Sequence, residues 1–162
     1  MAVKYIIGHW TAGNLKPNKT DLSSYQLLVD GEGRLHQGMA VGCASSTGGM
    51  NSITYNIACC GGLSTSRLTR VQIEKFYKTV AEKLKEYGLP VNNFYTHAEI
   101  GEMVKDGSIK SLLAWNDYLK QNIGKVDLTI LPLDDNHLTF KADAGTCGAK
   151  IRLKIKWYLN RL

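Results

Sequence analysis

Apolar positions recur along the chain in two rhythms, and the change from one to the other lays out its elements. Val3 to Ile7 is a short, largely β-branched apolar run that ends at Gly8 and reads as a buried strand, with His9 at its carboxyl end. Asn14 to Ser24, rich in Asn, Lys and Ser and carrying Pro17, reads as a loop. Tyr25 to Val29 and Arg34 to Gln37 form a hairpin pattern around Asp30-Gly31-Glu32-Gly33, with Tyr25 opening its first strand. Gly42 to Asn51 is a loop of small residues, and Ser52 to Cys60 is a further strand closed by Gly61-Gly62. The period then changes. Thr69-Arg70-Val71-Gln72 is a Thr-x-x-Gln capping box, behind which Val71, Phe76, Val80 and Leu84 recur at helical spacing until Tyr87-Gly88. Asn93 to Thr96 predicts a short strand that delivers His97 to its end. Ser108 to Asn122, with Ile109, Leu112, Leu113, Trp115 and Leu119, predicts a second helix, and Lys125 to Leu131 returns in extended form to Pro132.

The last segment fits both rhythms. Ile151, Leu153, Ile155 and Trp157 alternate with basic residues as in a strand, while Ile151, Ile155, Tyr158 and Leu162 fit a helix. Thr146 as a cap and the lack of a partner hairpin favour the helix. Lys150, Arg152, Lys154, Lys156 and Arg161 fall here with no acid among them, so most of the net charge of +6 is one terminal segment. Such a face suits a polyanion, such as an anionic envelope, and equally suits the solvated side of an amphipathic element.

Composition narrows the class without changing this picture. A chain of 162 residues with 44% hydrophobic residues is expected to form one domain with a sizeable core, and no repeat, linker or low-complexity tract divides it. No run approaches the roughly 18 apolar residues of a membrane span, and Met1 to Ile7 lacks the features of a secretory signal, so synthesis in the cytoplasm is expected. Cys43, Cys59, Cys60 and Cys147 are too few and too irregular for a disulfide framework and read as apolar thiols. Nucleic-acid binding finds no recognition motif.

The chemistry lies in three short pieces: Gly8-His9-Trp10-Thr11-Ala12-Gly13, Tyr95-Thr96-His97-Ala98-Glu99 and Lys125-Val126-Asp127. If they meet, two imidazoles and a carboxylate stand beside a lysine and the phenol of Tyr25, which are the parts of a hydrolytic zinc site with three protein ligands and an open position. His36 and His137 follow no such placement and receive no functional role.

The order of His9-Trp10-Thr11-Ala12-Gly13, Ser24-Tyr25-Gln26, Asn51-Ser52-Ile53, Thr69-x-x-Gln72, Thr96-His97-Ala98-Glu99 and Lys125-x-Asp127 resembles that of the zinc-dependent N-acetylmuramoyl-L-alanine amidases of type 2, the family shared by phage endolysins, bacterial wall amidases and peptidoglycan-recognition proteins. The likeness spans roughly residues 3 to 132. It implies a single α/β domain over residues 1–162, with a central mixed β-sheet flanked by helices and a zinc site at the sheet rim. Residues 133–162 would form a basic, helical extension. By the family pattern His9, His97 and Asp127 would bind zinc, and Tyr25 and Lys125 would be catalytic. The implied reaction is hydrolysis of the amide between the lactyl group of N-acetylmuramic acid and L-alanine, by a monomer acting on peptidoglycan as a phage-type endolysin. A recycling or toxin amidase, or a muropeptide-binding module without activity, remains an alternative.

Three features depart from the family. Lys125 lies far from His97, which leaves Lys105-Asp106 as a rival pair; Lys125 and Asp127 are preferred because their one-residue spacing points both side chains from one face of an extended segment. Gln26 stands where a histidine is common, and the loop before it is short, which predicts a more open groove. Glu99, two residues past His97, is read as a rim carboxylate with a local hydrogen bond rather than as a general base.

Overall fold

In the structure, a computed structural model of the chain, residues 2–48, 50–63, 65–97, 99–100 and 144–162 are described. Lys105, Asp106, Lys125, Asp127, His137 and the helix and extended segment expected between 108 and 131 lie outside them. Strand β1 (Tyr5–Trp10) leads to helix α1 (Lys19–Ser24), the hairpin β2 (Leu27–Val29) and β3 (Leu35–Gln37), then β4 (Thr54–Cys59), α2 (Arg70–Glu86), a single 3₁₀ turn (Val91–Asn93), β5 (Phe94–Thr96) and, at the end, α3 (Ala144–Leu159). The five strands form one mixed sheet in the order β3-β2-β4-β1-β5. Only the β2–β3 hairpin is antiparallel; β1 runs parallel to both β4 and β5.

Two faces of this sheet have different chemistry. Ile6, Leu27, Val29, Tyr55, Ile57, Cys59 and Phe94 bury one face against Ile73, Phe76, Val80 and Leu84 of α2 and Ile151 and Ile155 of α3. The two long helices among the described residues therefore lie on the same side. The other face holds a small apolar cluster of Leu28, Ala58 and Cys60, with Leu22 and Tyr25 packed on it, next to buried Gln26, Asn56 and Thr54.

Several local expectations change. The segment from Asn14 to Ser24 is not all loop: Asn18 and Asp21 form a reciprocal capping box, Asn18 Oδ1 accepting from the Asp21 N–H at 2.8 Å and Asp21 Oδ2 from the Asn18 N–H at 2.9 Å, and this starts α1. Six residues are too few to display a helical period, so only the cap marks the helix. Tyr25 does not open β2; it is the extended residue that ends α1. Strand β1 runs past Gly8 to Trp10, so His9 lies within it. In α2 the capping box forms as expected, but Val71 points outward with 56% exposure and the core is carried instead by the residues from Ile73 onward.

The terminal segment is a helix, with Thr146 inside it rather than capping it. Ile151 and Ile155, four apart, are buried, while Leu153 and Trp157 are exposed, so the four-residue spacing decides over the alternation. Cys43, Cys59 and Cys60 are free thiols, and burial pushes the Cys60 thiol up to about 12. Among the described residues no helix is long and apolar enough to cross a membrane.

Gln72 ties α2 to the sheet. Its Oε1 accepts from the Thr69 N–H, and its Nε2 donates at 2.8 Å to both the Val29 and Cys60 carbonyls, in a site with no exposure. Replacing it by alanine strands these carbonyls, and a buried unsatisfied group costs about 1–3 kcal/mol. Gln72→Ala should lower stability by about 2–3 kcal/mol in urea denaturation on that basis.

Buried Asp30 plays the matching part in the hairpin. Its Oδ1 accepts from the N–H groups of Glu32 (2.9 Å) and Arg34 (3.0 Å), and its Oδ2 meets His36 Nε2 at 2.8 Å. Burial, the largest effect, raises the carboxyl pKa, but the His36 bond and the two backbone donors together outweigh it and hold the group below its ordinary value. The stabilisation is therefore complete above the ordinary aspartate range and is lost as pH falls from there through the lower folded value. Asp30→Asn should flatten the acid limb of a stability-versus-pH curve below about pH 4, measured by thermal unfolding.

Candidate active site

The parallel register of β1 with β5 pairs Ile6 with Phe94, Ile7 with Tyr95 and Gly8 with Thr96, so the next residues on the two strands are His9 and His97. Their ring centroids are 4.8 Å apart with planes 55° from parallel. Gly8 permits the approach. A Cβ there would lie 2.8 Å from Phe94 Cζ and 2.9 Å from Phe76 Cζ, inside any real contact, so any side chain would force the two phenyl rings apart beneath the histidine. The Tyr25 ring stands 5.1 Å from that of His9, and its hydroxyl lies 3.5 Å from the Trp10 carbonyl. These residues line a cleft of about 220 Å³, closed on one side by Ser45 and Ser46 from the small-residue loop.

The protonation pattern of His9 follows from a backbone group thirty residues downstream of Gln26. The Asn56 N–H can only donate, and it meets Gln26 Oε1 at 2.7 Å, which fixes that atom as oxygen. The same oxygen then receives Asn56 Nδ2 at 3.1 Å, which also reaches Thr54 Oγ1, so Asn56 Oδ1 must face the other way. It faces His9 Nε2 at 2.8 Å and accepts from Thr47 Oγ1 at 2.8 Å. Nε2 therefore carries the hydrogen, and the free lone pair of the ring is on Nδ1. A metal-ligating histidine is commonly oriented in this way, one nitrogen donating to a fixed acceptor and the other left for the ion.

His9 is 2% exposed. Burial, and after it the proximity of His97, drive its pKa well below the ordinary imidazole value, against the raising effect of the Asn56 bond. The ring is thus neutral at neutral pH, the form able to ligate. Two imidazoles in one cleft suit zinc by donor type. Among the described residues no third His, Cys, Asp or Glu completes a set, and Asp127 lies outside them. His36, bonded to Asp30, takes no part in the cleft.

The structure brings His9, His97 and Tyr25 together at one cleft and adds Asn56, which no pattern in the sequence singled out, and it places two other residues differently from expectation. Gln26 does not widen a groove; it is buried and directs Asn56, with its Nε2 donating to the Ala40 carbonyl at 3.2 Å. Glu99 is not at the rim: it is 4% exposed and ion-paired to Arg152. The motif Thr96-x-x-Glu99 is a capping box of the same kind as Thr69-x-x-Gln72, and that spacing was the available signal.

The fold is shared with several solved proteins. A phage endolysin from the Thermus scotoductus bacteriophage Ph2119 superposes with a TM-score of 0.51 at 17% identity, over 61% of this chain and 73% of that one. The N-acetylmuramoyl-L-alanine amidase LysC from Clostridium intestinale gives 0.51 at 15% identity, over 77% and 85%, and PlyL gives 0.52 at 18%, over 76% and 84%. No curated protein sequence matches the chain. The N-acetylmuramoyl-L-alanine amidase family matches residues 1–108, which hold the five described strands, the paired histidines and Tyr25, and the chain belongs to that family.

Proposed function

We propose that the chain is a zinc hydrolase that cleaves the amide between the lactyl group of N-acetylmuramic acid and L-alanine in peptidoglycan. The observation that carries this reading is the His9–His97 pair, with the lone pair of His9 set on Nδ1 by Asn56, opening into a cleft beside a phenol. His9, His97 and Asp127 would hold the ion. Zinc bound there would polarise the scissile carbonyl and make water nucleophilic at neutral pH.

The chain's own groups do the rest. Tyr25, half-buried at the cleft wall, would aim its hydroxyl at the carbonyl oxygen as negative charge develops on it, and Lys125 would share that task. Either one can pass a proton to the leaving amine. Asn56 and Gln26 keep His9 from turning, so the site is organised before substrate enters. We take the biological setting to be lysis by a phage-type endolysin made in the cytoplasm, in keeping with the endolysin folds above; the exposed Lys150, Lys154, Lys156 and Arg161 would then face an anionic envelope.

Zinc analysis and turbidity loss of purified peptidoglycan test the assignment. Asp127→Ala should lose zinc and lysis while Asp106→Ala keeps both; the reverse would move the third ligand to the rival pair, and wild type that neither binds zinc nor lyses would favour a binding module. Tyr25→Phe and Lys125→Ala should keep zinc and lose about 100- to 1,000-fold in kcat, as for donors acting on a developing oxyanion. Asn56→Leu should weaken zinc binding by about 10- to 100-fold, read by competition with a chromophoric chelator, because the acceptor that orients His9 is gone. Unchanged affinity in that variant would remove Asn56 from the site.

A further inference from the structure

The contacts that hold His97 do not end in its own segment. Glu99 Oε1 accepts from the Thr96 N–H at 2.9 Å, and Thr96 Oγ1 accepts from the Glu99 N–H at 3.1 Å, so His97 is the first residue of a capped helical turn. The Glu99 carboxylate at the foot of that turn is buried and needs a partner. Arg152 of α3 supplies it with a two-pronged contact, Nη1 to Oε1 and Nη2 to Oε2, both at 2.9 Å. The same Nη1 donates at 3.0 Å to the carbonyl of Phe94, and the guanidinium stands 5.6 Å from the centroid of the Tyr95 ring. One side chain thus grips the backbone on one side of His97 and the cap on the other. Gly148 makes room for the Glu99 carboxylate, since a Cβ there would sit 2.1 Å from it.

We infer that Arg152 is a positioning residue for the site: through Glu99 it locks the turn that aims His97 at His9, and α3 is a working part of the cleft although it lies beyond the residues that match the family. Arg152 is therefore not part of the solvated basic face to which its sequence neighbours belong. Lysine could keep the charge but not the paired geometry. The inference rests on the zinc reading only for one of its two measurements.

The first measurement uses the metal-free full chain. The nuclear Overhauser effect between the His9 and His97 rings should be lost in Arg152→Met and in Glu99→Gln and reduced in Arg152→Lys. Ile155→Ala, which loosens the same helix from the core without touching Glu99, should lower the melting temperature and keep the effect. The second measurement is zinc affinity, expected to fall by about tenfold or more in the Arg152 and Glu99 variants and to stay unchanged in Ile155→Ala. If Arg152→Met does not fold, Arg152→Lys and Glu99→Gln carry the comparison. A kept ring-to-ring effect in folded Arg152→Met, or an equal loss in Ile155→Ala, would overturn the inference. Wild type that binds no zinc, with the ring contact still dependent on Arg152, would sink the zinc reading and leave the clamp standing.

Discussion

Everything in the cleft depends on β1 lying between two parallel neighbours in fixed register. Parallel strands bring their carboxyl ends to one edge of the sheet, and the pairing of Gly8 with Thr96 sets the next residues of β1 and β5 side by side. A slip of one residue would turn His9 into the core beneath α2 and bring Gly8 to the cleft. The register is held by side chains that fit only one way: Ile6 and Phe94 fill the helix-covered face, and Gly8 leaves the gap into which the Phe94 and Phe76 rings close. Hydrophobic packing on one face thus fixes the geometry of the paired imidazoles on the other.

That division fits the placement of α2 and α3, the long helices among the described residues, on the apolar side. On the other face Asn56, Gln26 and Thr54 are buried, and a buried polar group is costly unless it finds a partner. Every one of the three is satisfied by another or by backbone, in a chain that starts at a peptide N–H and ends at an imidazole. Among the described residues the single buried polar side-chain atom without a partner is Ser46 Oγ, in a residue that lines the cleft. Such a group is tolerated where substrate or solvent can reach it.

Legibility from sequence tracked the range of the forces involved. Strand β1 and helix α2 were readable because a β-branched run and a capped 3.6-residue period are local signals. Helix α1 was not, since six residues held by an Asn18–Asp21 box have no period to display. The two histidines could be picked out by their places after apolar runs, yet the nitrogen that His9 offers depends on Asn56, 47 residues away, and through it on Gln26. Glu99 shows the same limit from the other side. Its capping role was written in the local spacing, but its burial came from Arg152, 53 positions further along.

The family boundary and the physical boundary of the site do not coincide. Residues 1–108 suffice to match the amidases, and they already hold the sheet, the two imidazoles and the phenol. Among the described residues the counter-charge for Glu99 comes from α3, which also contributes Ile151 and Ile155 to the core against α2. A buried carboxylate left without its cation is strongly destabilising, and its loss of a partner loosens the turn that begins at His97. The helix therefore does two tasks with one surface, completing the core along one stripe and neutralising the base of the site at its inner edge. A chain without α3 would lose both, and His97, whose turn Glu99 caps, would lose its aim.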